Sequence, residues 1–311
     1  MKTCKICRSV AVNVVAQLLP KHGGRCDALQ CHQCGFLWAD PLPDFTPEFL
    51  NQIYGEAYTE QIRSLESDYE SRRTLYQATV SQLDLLEKYL PSSPRYRKAL
   101  NIGAMTISSK VLLDQGWDLT AVEVSDYAAR SAAEKWDMQV VHGKIEDVTL
   151  PADVFDLIKL SHVIEHLADP LAVLHKLHST MKRGGILLLE TDNSAGLKTW
   201  LEVSVRRLLG EALATSLVYR LTQKNLKTRY GRLIPYEHVS LFNQKSLLLA
   251  VQDVGFVPIQ ILCPAQGDPV WFPFTNQAQR WTPLERLMSY VDALGAKIGR
   301  GEVLVMFARK E

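Results

Sequence analysis

The stretch Lys98–Ser125, KALNIGAMTISSKVLLDQGWDLTAVEVS, decides the fold. It predicts a short apolar strand over Ala99–Ile102, a turn at Gly103, a helix over Ser108–Gln115 closed by Gly116, and a second apolar strand over Leu119–Val124. Adjacent parallel strands place the turn and the end of the second strand on one rim of a sheet. Glu123 stands on that rim about 20 residues after the glycine turn, the spacing at which a carboxylate meets the ribose hydroxyls of a nucleotide. The backbone at Gly103 and Ala104 faces the rest of such a ligand, and Val124 flanks the acid. The turn carries one glycine, followed by Ala104, Met105, Thr106 and Ile107, where nucleotide-binding turns place further glycines so that backbone approaches ligand closely. A plain strand-to-helix turn without a ligand is the alternative here.

Downstream the same rhythm continues. Tyr127–Trp136 reads as a helix, Met138–His142 as a third strand, and Phe155–Leu160 as a fourth with the unbroken apolar run of a buried parallel strand. Asp169 and Pro170 open a helix by capping. Leu171, Leu174, Leu177 and Met181 form its buried stripe, and Lys182, Arg183 and Gly184–Gly185 end it. Ile186–Thr191 is a fifth strand; Phe256–Leu262 and Glu302–Ala308 are the last two. Short links between alternating elements imply an α/β fold, a doubly wound, Rossmann-like, seven-stranded parallel sheet.

Upstream lies a different kind of signal. Cys4, Cys7, Cys31 and Cys34 are spaced C-x2-C-x23-C-x2-C, two tight knuckles that present four thiolates to one tetrahedral ion. This predicts a zinc ribbon with a structural Zn2+. Four cysteines close the coordination, so His22, Cys26 and His32 are read as non-ligands, and the closed shell argues against catalytic zinc. Three prolines in ADPLPDFTPEF mark the exit, and Phe49–Leu90 turns helical around the aromatic segment YGEAY, whose Tyr54 and Tyr58 either pack or reach over a pocket. The expected organisation is a ribbon over 1–45, a helical linker or cap over 46–95, and an α/β domain over 96–311 with a basic helical insertion at 194–235. That insertion reads either as a solvated hairpin or as a lid attracting an anionic or membrane-associated substrate.

The 311 residues carry 47% hydrophobic and 22% charged side chains and a formal net charge of +1, which gives no general pull toward nucleic acid or anionic membrane. No apolar run approaches the ~20 residues of a membrane span, and MKTCKICRS lacks a signal peptide's apolar core, so the expected location is the cytoplasm. Six cysteines in a chain of this length do not suggest a disulfide scaffold.

With the ribbon, the Gly103 turn, Glu123, the segment GKIEDVTLPADVFDLIKLSHVIEHLADP, and PYEHVSLF before a helix ending in GF, the chain resembles class I S-adenosylmethionine-dependent methyltransferases, in the branch with an N-terminal zinc ribbon that includes sugar C-methyltransferases. The resemblance covers nearly the whole chain, and SHVIEHLADP is its most specific part; GAMTI stands where the family has GxGxG. It implies that Glu123 holds the cofactor ribose, that Ile145 and Glu146 flank the adenine, and that Ser161 and His162 line the pocket near the sulfonium. It also supports Glu165–His166, just past the fourth strand, as the base for methyl transfer. Histidine's titration range suits a base at neutral pH, and a neighbouring carboxylate can orient it; the alternative is that the pair merely hydrogen-bonds the loop capping the next helix. His238 in PYEH is a second candidate for substrate contact. The expected acceptor is a small molecule, anionic ones included. An RNA methyltransferase, or a protein of this fold with lost or altered activity, are the competing readings.

Overall fold

The computed structural model describes residues 2–18, 26–42, 44–55, 58–60, 69–90, 97–209, 238–271, 273 and 282–311. Of the insertion expected over 194–235, residues 210–235 lie outside the described residues, as do His22 and residues 61–68 and 91–95 of the expected cap.

The large sheet is built as the apolar runs dictate. Strands β4 (Lys98–Ile102), β5 (Asp118–Glu123), β6 (Gln139–His142), β7 (Phe155–Ser161), β8 (Met181–Asp192), β10 (Phe256–Leu262) and β11 (Val303–Lys310) pair in the order β10-β11-β8-β7-β4-β5-β6. From β8 to β6 every pairing is parallel. β11 runs antiparallel to both β8 and β10, so one strand of the expected parallel sheet is reversed. Reversed strands are common toward one edge of such sheets, and β11 stands one strand in from the edge formed by β10.

Local chemistry fixes where the helices begin. α3 (Ile107–Asp114), α4 (Asp126–Trp136) and α5 (Pro170–Thr180) start at Thr106, Ser125 and Asp169, whose side chains accept from the backbone N–H three residues on. The end of α5 differs from the expectation that it runs to Gly184–Gly185. The helix stops at Thr180, and Met181 already pairs with Phe155 in the β7–β8 ladder. Lys182 reaches the Asp156 carboxylate at 2.8 Å rather than the carbonyls of the helix end.

Before the large sheet come β1 (Val12–Leu18), β2 (Cys26–Cys31), β3 (Leu37–Asp40), α1 (Pro47–Tyr54) and α2 (Tyr69–Glu87). The first three strands form an antiparallel sheet whose fourth member, β9 (Ser240–Leu241), comes from far down the chain. α6 (Leu197–Leu209), α7 (Gln244–Asp253) and α8 (Pro283–Lys297) complete the described helices.

Two apolar clusters hold the layers together. In the first, Cys4, Ile6, Phe36 and Trp38 pack with Ile158, Ile164, Phe242, Leu247 and Phe256, so the ribbon residues and those of the large sheet share one core. The second gathers Leu83 and Leu86 of α2 with Val111, Leu112, Trp271 and Phe307. At about 25 cal/mol per Å² of apolar area removed from water, such continuous burial is the main force fixing the strand ends that carry the site.

Candidate functional site

The rim at the carboxyl ends of β4, β5, β7 and β8 gathers most of the chemistry. At the first turn Gly103 has φ +102°, a conformation L side chains rarely adopt, and an added Cβ would meet Thr106 Cγ2 at 3.6 Å with no closer neighbour. Asn101, 2% exposed and unforeseen from the sequence, fastens the turn from below. Its amide nitrogen donates to Gly103 O at 2.8 Å, Thr106 Oγ1 at 3.0 Å and Ser109 Oγ at 2.9 Å. Met105, which stands where a glycine is usual, packs against the cluster containing Val111 and Leu112.

Glu123 lies across this turn. Its Oε2 accepts from Ala104 N at 2.9 Å and its Oε1 from Ser125 N at 2.8 Å, and the residue is 4% exposed. Burial pushes its carboxyl above the ordinary value, and the backbone donors of Ser125 and Ala104 offset part of that rise. Each carboxylate oxygen has lone pairs beyond the one used, so the group can accept further donors. Above it, Tyr54 and Tyr58 stand edge to face at 5.3 Å. Ser125 Oγ donates to Tyr54 O at 3.4 Å, and burial, then the charge of Glu123, pushes the Tyr58 phenol up. The aromatic pair therefore lies near the acid rather than remote from it.

Past β6, Ile145 is buried and Glu146 half-buried. Lys176 of α5 donates to Ile145 O, Glu146 O and Val148 O at 2.9, 2.5 and 3.0 Å, so an unforeseen lysine pins this loop by its carbonyls.

The end of β7 is more densely wired. His162 has φ +50°, and its backbone N–H donates to Glu190 O at 2.8 Å. A non-glycine residue held in that region points to a local constraint worth explaining by function. Ser161 Oγ donates to Glu190 Oε2, which also pairs with Lys159 Nζ at 3.5 Å. Ile164–His166 form a single 3-10 turn that carries Glu165, fully buried, and His166. Glu165 Oε1 lies 3.1 Å from His162 Nδ1, and Thr191 Oγ1 donates to Glu165 Oε2 at 2.9 Å. Burial alone would raise the Glu165 carboxyl, but the His162 hydrogen bond and the charges of His162, His166 and His238 together bring it down to about 2. In reply, His162, which burial alone would lower, is held up to about 9 by Glu165, with Asp192 and Glu190 adding to the effect.

His238 arrives from the opposite side. Val239 N donates to Glu165 O at 2.9 Å, and Ala39 N of β3 donates to Val239 O at 2.9 Å. The His238 ring meets that of His166 edge to face at 4.8 Å, and His238 Nδ1 is 3.6 Å from Asp192 Oδ2. One donor atom from each of Glu165, His166 and His238 lies within 4.8 Å of the others. Sequence reasoning had paired Glu165 with His166; it missed Thr191, Asp192 and Glu190. The signal was present in LLLETD, where an apolar strand ends in two acids flanking a hydroxyl.

The four ribbon cysteines form the second cluster. Cys4 and Cys34 sulfurs are 3.6 Å apart, Cys7 and Cys31 sulfurs 3.4 Å, and all four lie within 4.8 Å of one another with no disulfide among them. A zinc ion with Zn–S bonds of about 2.3 Å spans a sulfur tetrahedron with edges near 3.8 Å, so the donor set fits such an ion. Cys26 faces Pro41 O at 3.5 Å and stands apart from the cluster, as expected of a non-ligand. Among the described residues no helix is long and apolar enough to cross a membrane.

Comparison with known proteins places this geometry. Residues 73–261 match the family described as a methyltransferase domain. Among solved structures, a geranyl diphosphate C-methyltransferase from Streptomyces coelicolor A3(2), in complex with Mg2+, geranyl diphosphate and S-adenosyl-L-homocysteine, is similar at 12% identity and TM-score 0.53, over 86% of this chain and 100% of that one. A SAM-dependent methyltransferase from Archaeoglobus fulgidus is similar at 14% identity and TM-score 0.51, over 82% of this chain and 100% of the other. At such identities the likeness is one of fold. The comparison with curated proteins gives no match.

Proposed function

The chain belongs to the methyltransferase-domain family, and we propose that it moves the methyl group of S-adenosyl-L-methionine to a small molecule such as a sugar, a nucleotide-linked sugar or a natural-product intermediate. The observation that carries this reading is the Glu123 carboxylate, buried at the rim and bridging the amides of Ala104 and Ser125. It supports a ribose site there, with Gly103, Ala104 and Val124 beside it, Ile145 and Glu146 flanking the adenine, and Ser161 and His162 toward the sulfonium. The cofactor brings a methyl group already activated on sulfur. What is left to the protein is to align the acceptor and, where its nucleophile bears a proton, to remove it.

That second task falls to Glu165, His166 and His238. In the absence of a bound cation His166 takes the acceptor's proton, while Glu165, tied to His162 and Thr191, holds the turn that presents it. His238 faces the same acceptor. The ribbon cysteines hold one structural Zn2+, supported by their sulfur geometry. An RNA acceptor is disfavoured by a formal net charge of +1.

Calorimetry with S-adenosylmethionine and S-adenosylhomocysteine tests the reading. Saturable binding of both, weakened in Glu123→Ala, is the expected result. Silence with both would remove the cofactor and leave a protein of this fold with a different activity.

A further inference from the structure

We infer that Glu165, His166 and His238 form a divalent-cation site, distinct from the ribbon, whose ion holds the acceptor through its oxygen atoms. Two imidazoles and a carboxylate within 4.8 Å of one another are a donor set that first-row divalent ions accept. An ion about 2.0–2.2 Å from each of three donors sets them roughly 3.3–3.8 Å from one another. Any pair near the upper bound would draw in by about 1 Å as the ion enters.

Three features mark the site as built for a cation. First, the groups behind the donors are already placed. Thr191 and His162 bond the Glu165 carboxylate, and the Asp192 carboxylate stands 3.6 Å from His238 Nδ1, just beyond hydrogen-bond distance. A carboxylate behind a histidine is the arrangement that orients imidazole ligands and raises their basicity. Second, three acids converge at the end of β8 and the 3-10 turn after β7: Glu165 is fully buried, Glu190 is 6% and Asp192 7% exposed. Lys159 pairs with Glu190 at 3.5 Å, while Glu190 Oε1 is buried with no hydrogen-bond partner among the described residues. Third, backbone precision is high: Val239 N–H on Glu165 O ties the two halves of the donor set, which are far apart in sequence.

Imidazole donors favour zinc, iron, nickel or copper over magnesium or calcium, and the Glu165 carboxylate also suits manganese. Unlike the four-cysteine cluster, three protein ligands leave coordination positions open. Those positions suit an acceptor that offers two neighbouring oxygens, as a vicinal diol or a hydroxy-ketone does. Binding through oxygen would make the acceptor more acidic, so that His166 no longer has to act as a base. The acceptor part of this inference rests on the methyl-transfer reading; the cation site does not.

Manganese is the discriminating probe, because thiolate clusters select softer ions. The test follows free Mn2+ by electron paramagnetic resonance as it is titrated into full-length protein brought to one zinc per chain, the complement of the four cysteines. One bound Mn2+ per chain is expected. Affinity should fall at least ~10-fold in His238→Gln and in Glu165→Gln, and remain unchanged in His175→Ala, on the exposed face of α5. Circular dichroism and a thermal melt like the wild type's show that the variants are folded, and His238→Gln keeps the test open if the buried Glu165→Gln fails to fold. Absence of Mn2+ binding, or binding equal in all the variants, would overturn the site. If Mn2+ binds as expected but no methyl acceptor is ever turned over, the methyl-transfer reading fails and the site stands.

Discussion

The two donor clusters of this chain are assembled in opposite ways. The ribbon's four sulfurs come from two short local knuckles, and their spacing alone declares them. Glu165, His166 and His238 meet because a strand end, a 3-10 turn and a two-residue strand converge. A donor set encoded in local spacing forms wherever its knuckles form. One encoded in tertiary structure exists only while the sheet, the ribbon and their shared core hold it. Four donors suffice to close a tetrahedral shell, and three leave a position open.

The sharpest way to break this contrast is Cys31→Ser. Cys31 is fully buried, and the proposed zinc site couples binding of an ion to folding of the ribbon, so loss of zinc by elemental analysis should come with loss of soluble, folded protein. A variant that is zinc-free yet fully stable would remove the structural role. Next in size is His166→Gln, which keeps hydrogen bonding and much of the volume but removes basicity. With an acceptor in hand, metal-free turnover should fall on the order of 10²–10⁴-fold with the cofactor dissociation constant unchanged. Near-wild-type turnover would make His166 an orienting group.

Glu123→Ala should weaken cofactor binding by roughly 2–4 kcal/mol, as two charge-assisted acceptors are lost with some overlap. The pH profile sharpens this. The free carboxyl titrates above the ordinary glutamate range because it is buried, and in the proposed ribose site it is the ionised form that accepts the hydroxyls. Affinity for S-adenosylhomocysteine should therefore drop as pH falls through that raised value, and Glu123→Gln should flatten this part of the profile. An unchanged slope in the Gln variant would assign the titration elsewhere. The smallest effect is expected at Asn243, whose Oδ1 accepts from Ser246 N at 2.9 Å to cap α7 and whose Nδ2 donates to Cys34 O at 3.0 Å. Asn243→Ala should cost about 1–2 kcal/mol by denaturant unfolding. A much larger loss would show that ribbon docking depends on this one side chain.

How much of this was legible depended on range. The strand–turn–helix–strand unit at Lys98–Ser125 and the buried run of β7 follow from apolar periodicity, and the structure returns both within a residue or so. The reversal of β11 was not legible, because an apolar strand reads the same in either direction. The early end of α5 was hidden by Met181, which fits a helical stripe and a buried strand equally well. At the site, Glu123 could be placed by counting from a glycine. Asn101 and Lys176 could not, since each works by reaching backbone carbonyls or hydroxyls that only the folded chain brings near. Met105 looked like an obstruction in the turn, yet its side chain is taken up by the core.

The short strand β9 has a consequence for anyone wishing to shorten this protein. A chain begun after the ribbon would strip Leu241 and Ser240 of their partners Leu37 and Trp38, and would uncover Phe242, whose ring lies 4.9 Å from that of Phe36. It would also release Val239 from Ala39 on one side while leaving it tied to Glu165 on the other. The amino-terminal module is therefore not a detachable cassette, and swapping or trimming it amounts to editing the wall of the candidate site.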